Sequence, residues 1–211
     1  MIDIGAIDRI AYAEIGTARS HPFKEPGNKY EHGVRVSRIC ETLCRETGVG
    51  FTPVIDAAAR LHDICNGQPD HAVIGAERAR ELLSGKNVCT EEELDLICSI
   101  IAVHDDRELE GLSPAVMIHQ DADLLDHFAT FTVWAFFQYA FRDGWSFMET
   151  AEKLIEENES SYDRYFAQLH YDVSRRIYME KRAYKRSFAE RMLREARGEI
   201  VSFGLPDDTK K

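Results

Sequence analysis

Residues 53–64 read Pro-Val-Ile-Asp-Ala-Ala-Ala-Arg-Leu-His-Asp-Ile. Ile55 and Ala58 precede His62 by seven and four residues, steps that place all three on one helix face and turn the imidazole inward. The same spacing recurs on either side. Upstream, His32 is followed by Val36, Ile39 and Leu43 at steps of four, three and four. Downstream, Leu94, Ile97 and Ile101 lead by helical steps to His104. No run shows sustained period-two alternation rich in β-branched residues, so the chain reads as all-α.

Glycine and proline punctuate the pattern at Pro22, Pro26 and Gly27, at Gly48, Gly50 and Pro53, at Gly67 and Pro69, at Gly85, at Gly111 and Pro114, and at Gly144. Between them, helices are expected at 5–19, 29–47, 53–65, 71–84, 91–105, 113–127, 129–142, 146–160 and 170–197. The tail 201–211 is expected to fray. A length of 211 residues, 24.1 kDa, suits one domain over 1–211. The stretch Phe128 to Phe141 is uncharged and aromatic, with Trp134, Phe136, Phe137 and Tyr139. It falls short of the ~20 residues of a membrane span. It is expected to be a buried helix serving as core or subunit contact, which leaves a homodimer open.

Composition narrows the function classes. With 44% hydrophobic and 30% charged residues the chain has neither the makeup of disorder nor that of a membrane protein. Its net charge of -11 repels a polyanion, which argues against duplex nucleic acid as a partner. The charge is uneven: residues 164–198 hold ten basic and four acidic side chains. That basic helix could lie over an acidic body, form a solvated face or touch a phosphate. Five cysteines, no Cys-x-x-Cys pair and no basic-then-apolar leader argue against a disulfide framework and export. Reduced thiols and a cytoplasmic location are the expectation.

The chemistry lies in histidines placed on inward faces: His32, His62 and His104. One such residue alone reads as a satisfied core histidine. Several together point to a shared metal ion, which satisfies every neutral imidazole at once. Asp63 adjoins His62, and Gln120-Asp121-Ala122-Asp123-Leu124-Leu125-Asp126 sets carboxylates into an apolar helix. Asp123 is read as a ligand, Asp121 and Asp126 as helix caps or surface pairs. Imidazole with carboxylate suits Mn, Fe, Co, Ni or Zn, with Mg a further possibility.

These residues carry a resemblance. His32, then His62-Asp63 within Ala-Ala-Arg-Leu-His-Asp-Ile, then Asp123 within Asp-Ala-Asp-Leu-Leu-Asp, resemble in order and spacing the HD superfamily of metal-dependent phosphohydrolases. The resemblance covers about 29–128, with 129–198 as accessory helices. It implies an all-α bundle whose helices 29–47, 53–65, 91–105 and 113–127 bring ligands to a central cleft. It extends to His71, eight residues after Asp63, and to His104. Two arrangements are open. In one, Asp63 bridges two ions, with His32, His62 and Asp123 on the first and His71 and His104 on the second. In the other, a single ion leaves His71 and His104 as proton donor and phosphate binder. Mn or Fe is the ion most in keeping with the resemblance.

The activity implied is hydrolysis of a phosphomonoester or phosphodiester, on a nucleotide or other small phosphate. A metal-activated water oriented by Asp63 would attack phosphorus, His71 would protonate the leaving oxygen, and Arg35 and Arg38 would reach the phosphate. Lys29, Lys181, Arg182 and Lys185 are weaker phosphate candidates. The cyclic-dinucleotide phosphodiesterase branch is disfavoured, because this chain has His104-Asp105 in place of a His-His pair and lacks a Gly-Tyr-Pro signature. Two further readings use the same ligands: a mixed-valent diiron oxygenase and a non-catalytic nucleotide-binding module.

Overall fold

Thr52, Thr90 and Ser113 each accept a hydrogen bond from a backbone N–H three residues ahead, and a helix starts after each. At Thr90 the cap is reciprocal, with Glu93 reaching back to the Thr90 N–H. The computed structural model describes residues 1–19, 25–128, 130–160 and 162–200. Among them the elements are ten helices and no strand. In chain order they are α1 (Ile4–Ile15), α2 (Asn28–Thr47), α3 (Pro53–Leu61), α4 (His71–Leu83), α5 (Glu91–Ala102), α6 (Pro114–His127), α7 (Thr130–Asp143), α8 (Phe147–Ser160), α9 (Tyr162–Ala167) and α10 (Asp172–Ala196). The expected break at Pro22 and the frayed tail 201–211 lie outside the described residues.

Three expected helices stop early: the first, expected over 5–19, ends at Ile15, and the other two end beside site histidines. The sequence predicts 53–65 and 91–105, but α3 ends at Leu61 and α5 at Ala102. Past each end the backbone tightens: the Ile64 N–H donates to Leu61 O at 3.0 Å and the His104 N–H to Ile101 O at 3.3 Å. The side chains join in, His62 Nδ1 donating to Ala59 O at 2.9 Å and His104 Nδ1 to Ile101 O at 2.7 Å. Apolar periodicity does not report such competition for helix-end carbonyls. His62, Asp63 and His104 therefore sit on turns just past helices. The six-residue α9 was not foreseen either, and none of its residues is buried.

Ile7, Leu61, Leu83, Ile97 and Ile101 pack α1, α3, α4 and α5 together. Val36, Leu43, Ile118, Leu125 and Tyr178 join α2, α6 and α10. A smaller cluster of Leu154, Ala189 and Met192 ties α8 to α10. α2 crosses α3 so closely that a Cβ at Gly33 would lie 2.9 Å from Ala59 O and 3.1 Å from Arg60 O. That glycine lets His32 approach His62.

The stretch expected as a buried helix is buried on one side only. Val133, Ala135 and Ala140 face inward, while Trp134 and Phe137 are exposed and Phe141 is 92% exposed. Lack of charge reports composition, not direction. The basic helix α10 lies against acidic α8: Arg182 and Arg186 pair with Glu159 at 2.8 and 2.7 Å, and Lys185 pairs with Glu157. All five cysteines are free thiols, four of them buried. Among the described residues no helix is long and apolar enough to cross a membrane.

Candidate metal centre

The N-terminal turns of α2, the turn after α3 and the C-terminal half of α6 meet at one point. His32 Nε2 lies 3.2 Å from His62 Nε2, 3.1 Å from Asp123 Oδ1 and 3.7 Å from Asp63 Oδ2. His62 Nε2 lies 3.7 Å from Asp123 Oδ1 and 3.9 Å from Asp63 Oδ2. An ion with bonds of about 2.0–2.2 Å to tetrahedral ligands separates their atoms by roughly 3.4 Å. His32, His62 and Asp123 thus form a set of the right size and donor type for one divalent transition metal, and Asp63 Oδ2 flanks the two nitrogens as a fourth donor.

Each imidazole is aimed by its other nitrogen. Nδ1 of His62 and of His104 donates to a backbone carbonyl, which leaves Nε2 as a lone pair. His32 Nδ1 faces Asp126 Oδ2 at 2.7 Å, and Asp126 is gripped by Arg35 through two bonds of 2.9 Å. Burial opposes a charge on His32, but Asp123 and Asp126 outweigh it and raise its pKa to about 9. His104 is pushed down to about 4 by burial and by His62, and stays neutral. A neutral His104 offers a lone pair, which suits a ligand better than a phosphate donor.

Burial also works against ionised Asp63 and Asp123, yet both are held well below the usual carboxylate range. His62, Lys29 and His32 do this for Asp63; His127, His32 and His62 do it for Asp123. Three buried carboxylates at the site each have their own cation: Lys29 on Asp63, Arg107 on Asp123 at 3.2 Å, Arg35 on Asp126.

His71, at the start of α4, is partly exposed, with Nε2 3.8 Å from Asp63 Oδ1 and Nδ1 3.6 Å from Asp105 Oδ2. His104 Nε2 lies 4.0 Å from Asp63 Oδ1. Ligand atoms within 4.8 Å of one another form two sets among the described residues: His32, His62 and Asp123; and His62, Asp63 and His104. His71 belongs to neither.

The expected phosphate arginines are placed otherwise. Arg35 is engaged by Asp126, and Arg38 is exposed and joins none of the site's hydrogen bonds. Asp126, read as a cap or surface pair, is instead buried and holds His32. Asp121 does act as a cap, but of another helix: it accepts the N–H groups of His170 and Tyr171, just ahead of α10, at 2.8 and 3.1 Å.

Four neighbours were missed. His127 stacks on His32 with ring centroids 5.0 Å apart. His119 is fully buried, edge-on to His62 at 5.0 Å, and neither ring nitrogen has a partner. Arg107 lies on the loop after α5, which Gln120 Nε2 pins by donating to Val103 O at 2.8 Å and Asp106 O at 2.9 Å. Asn66 Nδ2 donates to Asp63 Oδ1 at 2.9 Å. His119 and His127 stand one turn either side of Asp123, so helical spacing held the signal for them; nothing in the sequence marked Arg107.

Residues 30–127 match the family described as HD domain. Three solved structures share the fold. A predicted HD superfamily hydrolase from an uncultured Thermotogales bacterium is 19% identical with a TM-score of 0.64, over 92% of this chain and 94% of that one. Bacillus subtilis YpgQ in complex with ADP is 16% identical with a TM-score of 0.62, over 90% and 97%. A Lactobacillus plantarum protein is 19% identical with a TM-score of 0.63, over 93% and 97%. No curated protein matches the sequence. With the ordered His, His-Asp and Asp residues gathered at one buried point, residues 30–127 are an HD domain by sequence match and by fold.

Proposed function

We propose that the protein is a metal-dependent phosphohydrolase acting on a nucleotide or other small phosphate ester, with Mn or Fe as its ion. The observation that carries this reading is the cage of His32, His62, Asp63 and Asp123, five of whose edges measure 3.1–3.9 Å. A bound divalent ion would acidify water and offset charge on phosphoryl oxygens.

The chain's own groups supply the rest. Asp63, anionic and held by Lys29 and Asn66, orients the attacking water. His71, the more accessible of the two imidazoles near Asp63 Oδ1, stands at the rim to hand a proton to the leaving oxygen. Arg107 and Lys29 bring positive charge to the place where a phosphate would enter an otherwise acidic protein.

Past the C-terminal end of α6, a cavity of about 330 Å³ opens between α7 and α10, with Phe128, Val133, Tyr184 and Lys181 in its wall. Its first wall residue follows His127, and Asp126 acts on Lys181 through space. Aromatic and apolar walls with a lysine suit the organic part of a phosphate ester. The similarity in fold to a protein bound to ADP is in keeping with a nucleotide.

The test is phosphate release from a nucleotide panel by protein loaded with Mn, alongside elemental analysis of wild type and Asp63→Ala. The variant should lose both metal and phosphate release. Bound metal without hydrolysis of any phosphate ester would overturn the reading.

A further inference from the structure

Thr130, Trp134, Phe137 and Phe141 follow one another along α7 at steps of four, three and four, and all four are exposed, Phe141 to 92%. That is the spacing of a seam by which one helix packs along another. The inner face of α7 is separate from it. Val133 and Ala140 are buried there, and Phe136 packs against the cluster of Leu154, Ala189 and Met192. The helix therefore carries an outer stripe in addition to the one that seats it on α8 and α10.

The outer stripe is free of charge. Residues 128–141 form the longest run of the chain without Asp, Glu, Lys or Arg, and Arg142, just beyond it, pairs with Asp143 at 2.5 Å. By contrast, the outer face of α8 shows Glu152, Glu156 and Glu159, and that of α10 shows Arg186 and Glu190. In a two-fold contact a patch meets itself, so a charge near the axis meets its like. On a chain of net charge -11, α7 is the face on which two copies approach at least cost. A membrane surface fits less well. It favours helices flanked by several basic residues, and Arg142 is the single Lys or Arg between Arg107 and Lys153.

We propose that two copies of the chain pair through α7 in an antiparallel, two-fold contact. The register follows from the stripe: laid antiparallel on its copy, it sets Phe141 against Thr130 and Trp134 against Phe137, each twice. A hollow of about 340 Å³ between Trp134, Phe137, Gln138 and Phe141 gives the facing side chains a seat. Thr130 also lines the cavity between α7 and α10, so Phe141 of each copy stands at the edge of the other copy's cavity. Aromatic side chains cover about 150–250 Å² each, so at exposures of 92%, 42% and 37% Phe141, Trp134 and Phe137 offer roughly 350 Å². A standard interface takes ~800 Å² per partner, which makes this pairing reversible and dependent on concentration. The inference depends neither on the metal nor on hydrolysis.

Sedimentation equilibrium of the full-length protein, from about 1 to 200 μM, is the test. Wild type should move from the 24.1 kDa of one chain toward twice that mass as concentration rises. Phe141→Glu, a change at an exposed position, should melt as wild type does and weaken pairing by about tenfold or more, since it places a carboxylate in an apolar contact. Adding Thr130→Lys to Phe141→Glu should restore pairing, because the antiparallel register sets each new ammonium against a new carboxylate. A wild type that stays a single chain throughout, a dimer that Phe141→Glu leaves intact, or a double variant that stays apart would each overturn the inference. Sedimentation of wild type with phosphatidylcholine–phosphatidylserine vesicles, lost in Phe141→Glu and with a single-chain mass in solution, would assign the stripe to a membrane surface instead.

Discussion

His32 Nδ1 lies 2.7 Å from Asp126 Oδ2, on the side of the ring opposite the nitrogen that faces Asp123. Asp126 thereby fixes the rotation of His32 and makes Nε2 the more basic donor, while Arg35 fixes Asp126. Residues that orient a ligand in this way matter to affinity nearly as much as the ligand. Asp126→Asn should weaken Mn2+ binding by roughly 10–100-fold while leaving the stoichiometry unchanged. Calorimetric titration checks this, and an unchanged affinity would show that His32 needs no such partner.

Metal binding should release a proton. Without metal, His32 carries a pKa of about 9, raised from an ordinary 6.5, because Asp123 and Asp126 favour its charged form. An ion at Nε2 must displace that proton, so apparent affinity should rise about tenfold per pH unit below pH 9 and level off above it. The sign is opposite for the stability of the metal-free protein. A raised histidine pKa contributes stability that is full below pH 6.5 and is lost as pH rises through 9. Titrations in buffers of different protonation enthalpy, and chelated-protein melts from pH 6 to 9.5, test both halves.

Gly33→Ala should separate α2 from α3. The added Cβ meets two backbone carbonyl oxygens at 2.9 and 3.1 Å, neither of which can rotate away. Overpacking of this kind costs about 1–3 kcal/mol. Because His32 and His62 lie across the same contact, the variant should lose Mn affinity as well as thermal stability. A melt with and without Mn separates the two losses.

His119→Leu should keep or raise stability. The imidazole is fully buried with neither nitrogen partnered, and burial together with His62 and His104 holds it neutral. Replacing unsatisfied buried polar atoms with an apolar side chain of similar size removes a penalty of about 1–3 kcal/mol. Denaturant unfolding of the metal-free protein is the measurement. A marked loss of stability would mean that the imidazole has a role in packing that its missing partners do not reveal.

Helix periodicity alone determined that this chain is all-α and that His32 and His62 face inward. The order His, His-Asp, Asp marked Asp63 and Asp123, since those residues recur at spacings that one dimension can carry. Asp126 was visible in the same segment but was read as a cap. Its partner His32 is 94 positions away in sequence, and only folding brings them together. Arg107 had no signal at all, because a loop side chain acquires its partner from the path of the loop, here pinned by Gln120.

The tertiary structure also decided what the exact ends of α3 and α5 do. Periodicity reports which face of a helix is apolar and is silent on whether a histidine will take a carbonyl from the last turn. That local bond ends each helix near its histidine and points Nε2 into the cage. The exposed aromatic face of α7 and the ion pairs between α8 and α10 have the same origin. Burial and charge pairing are properties of two surfaces meeting, and a single strand of sequence specifies each surface without stating which other surface it will meet.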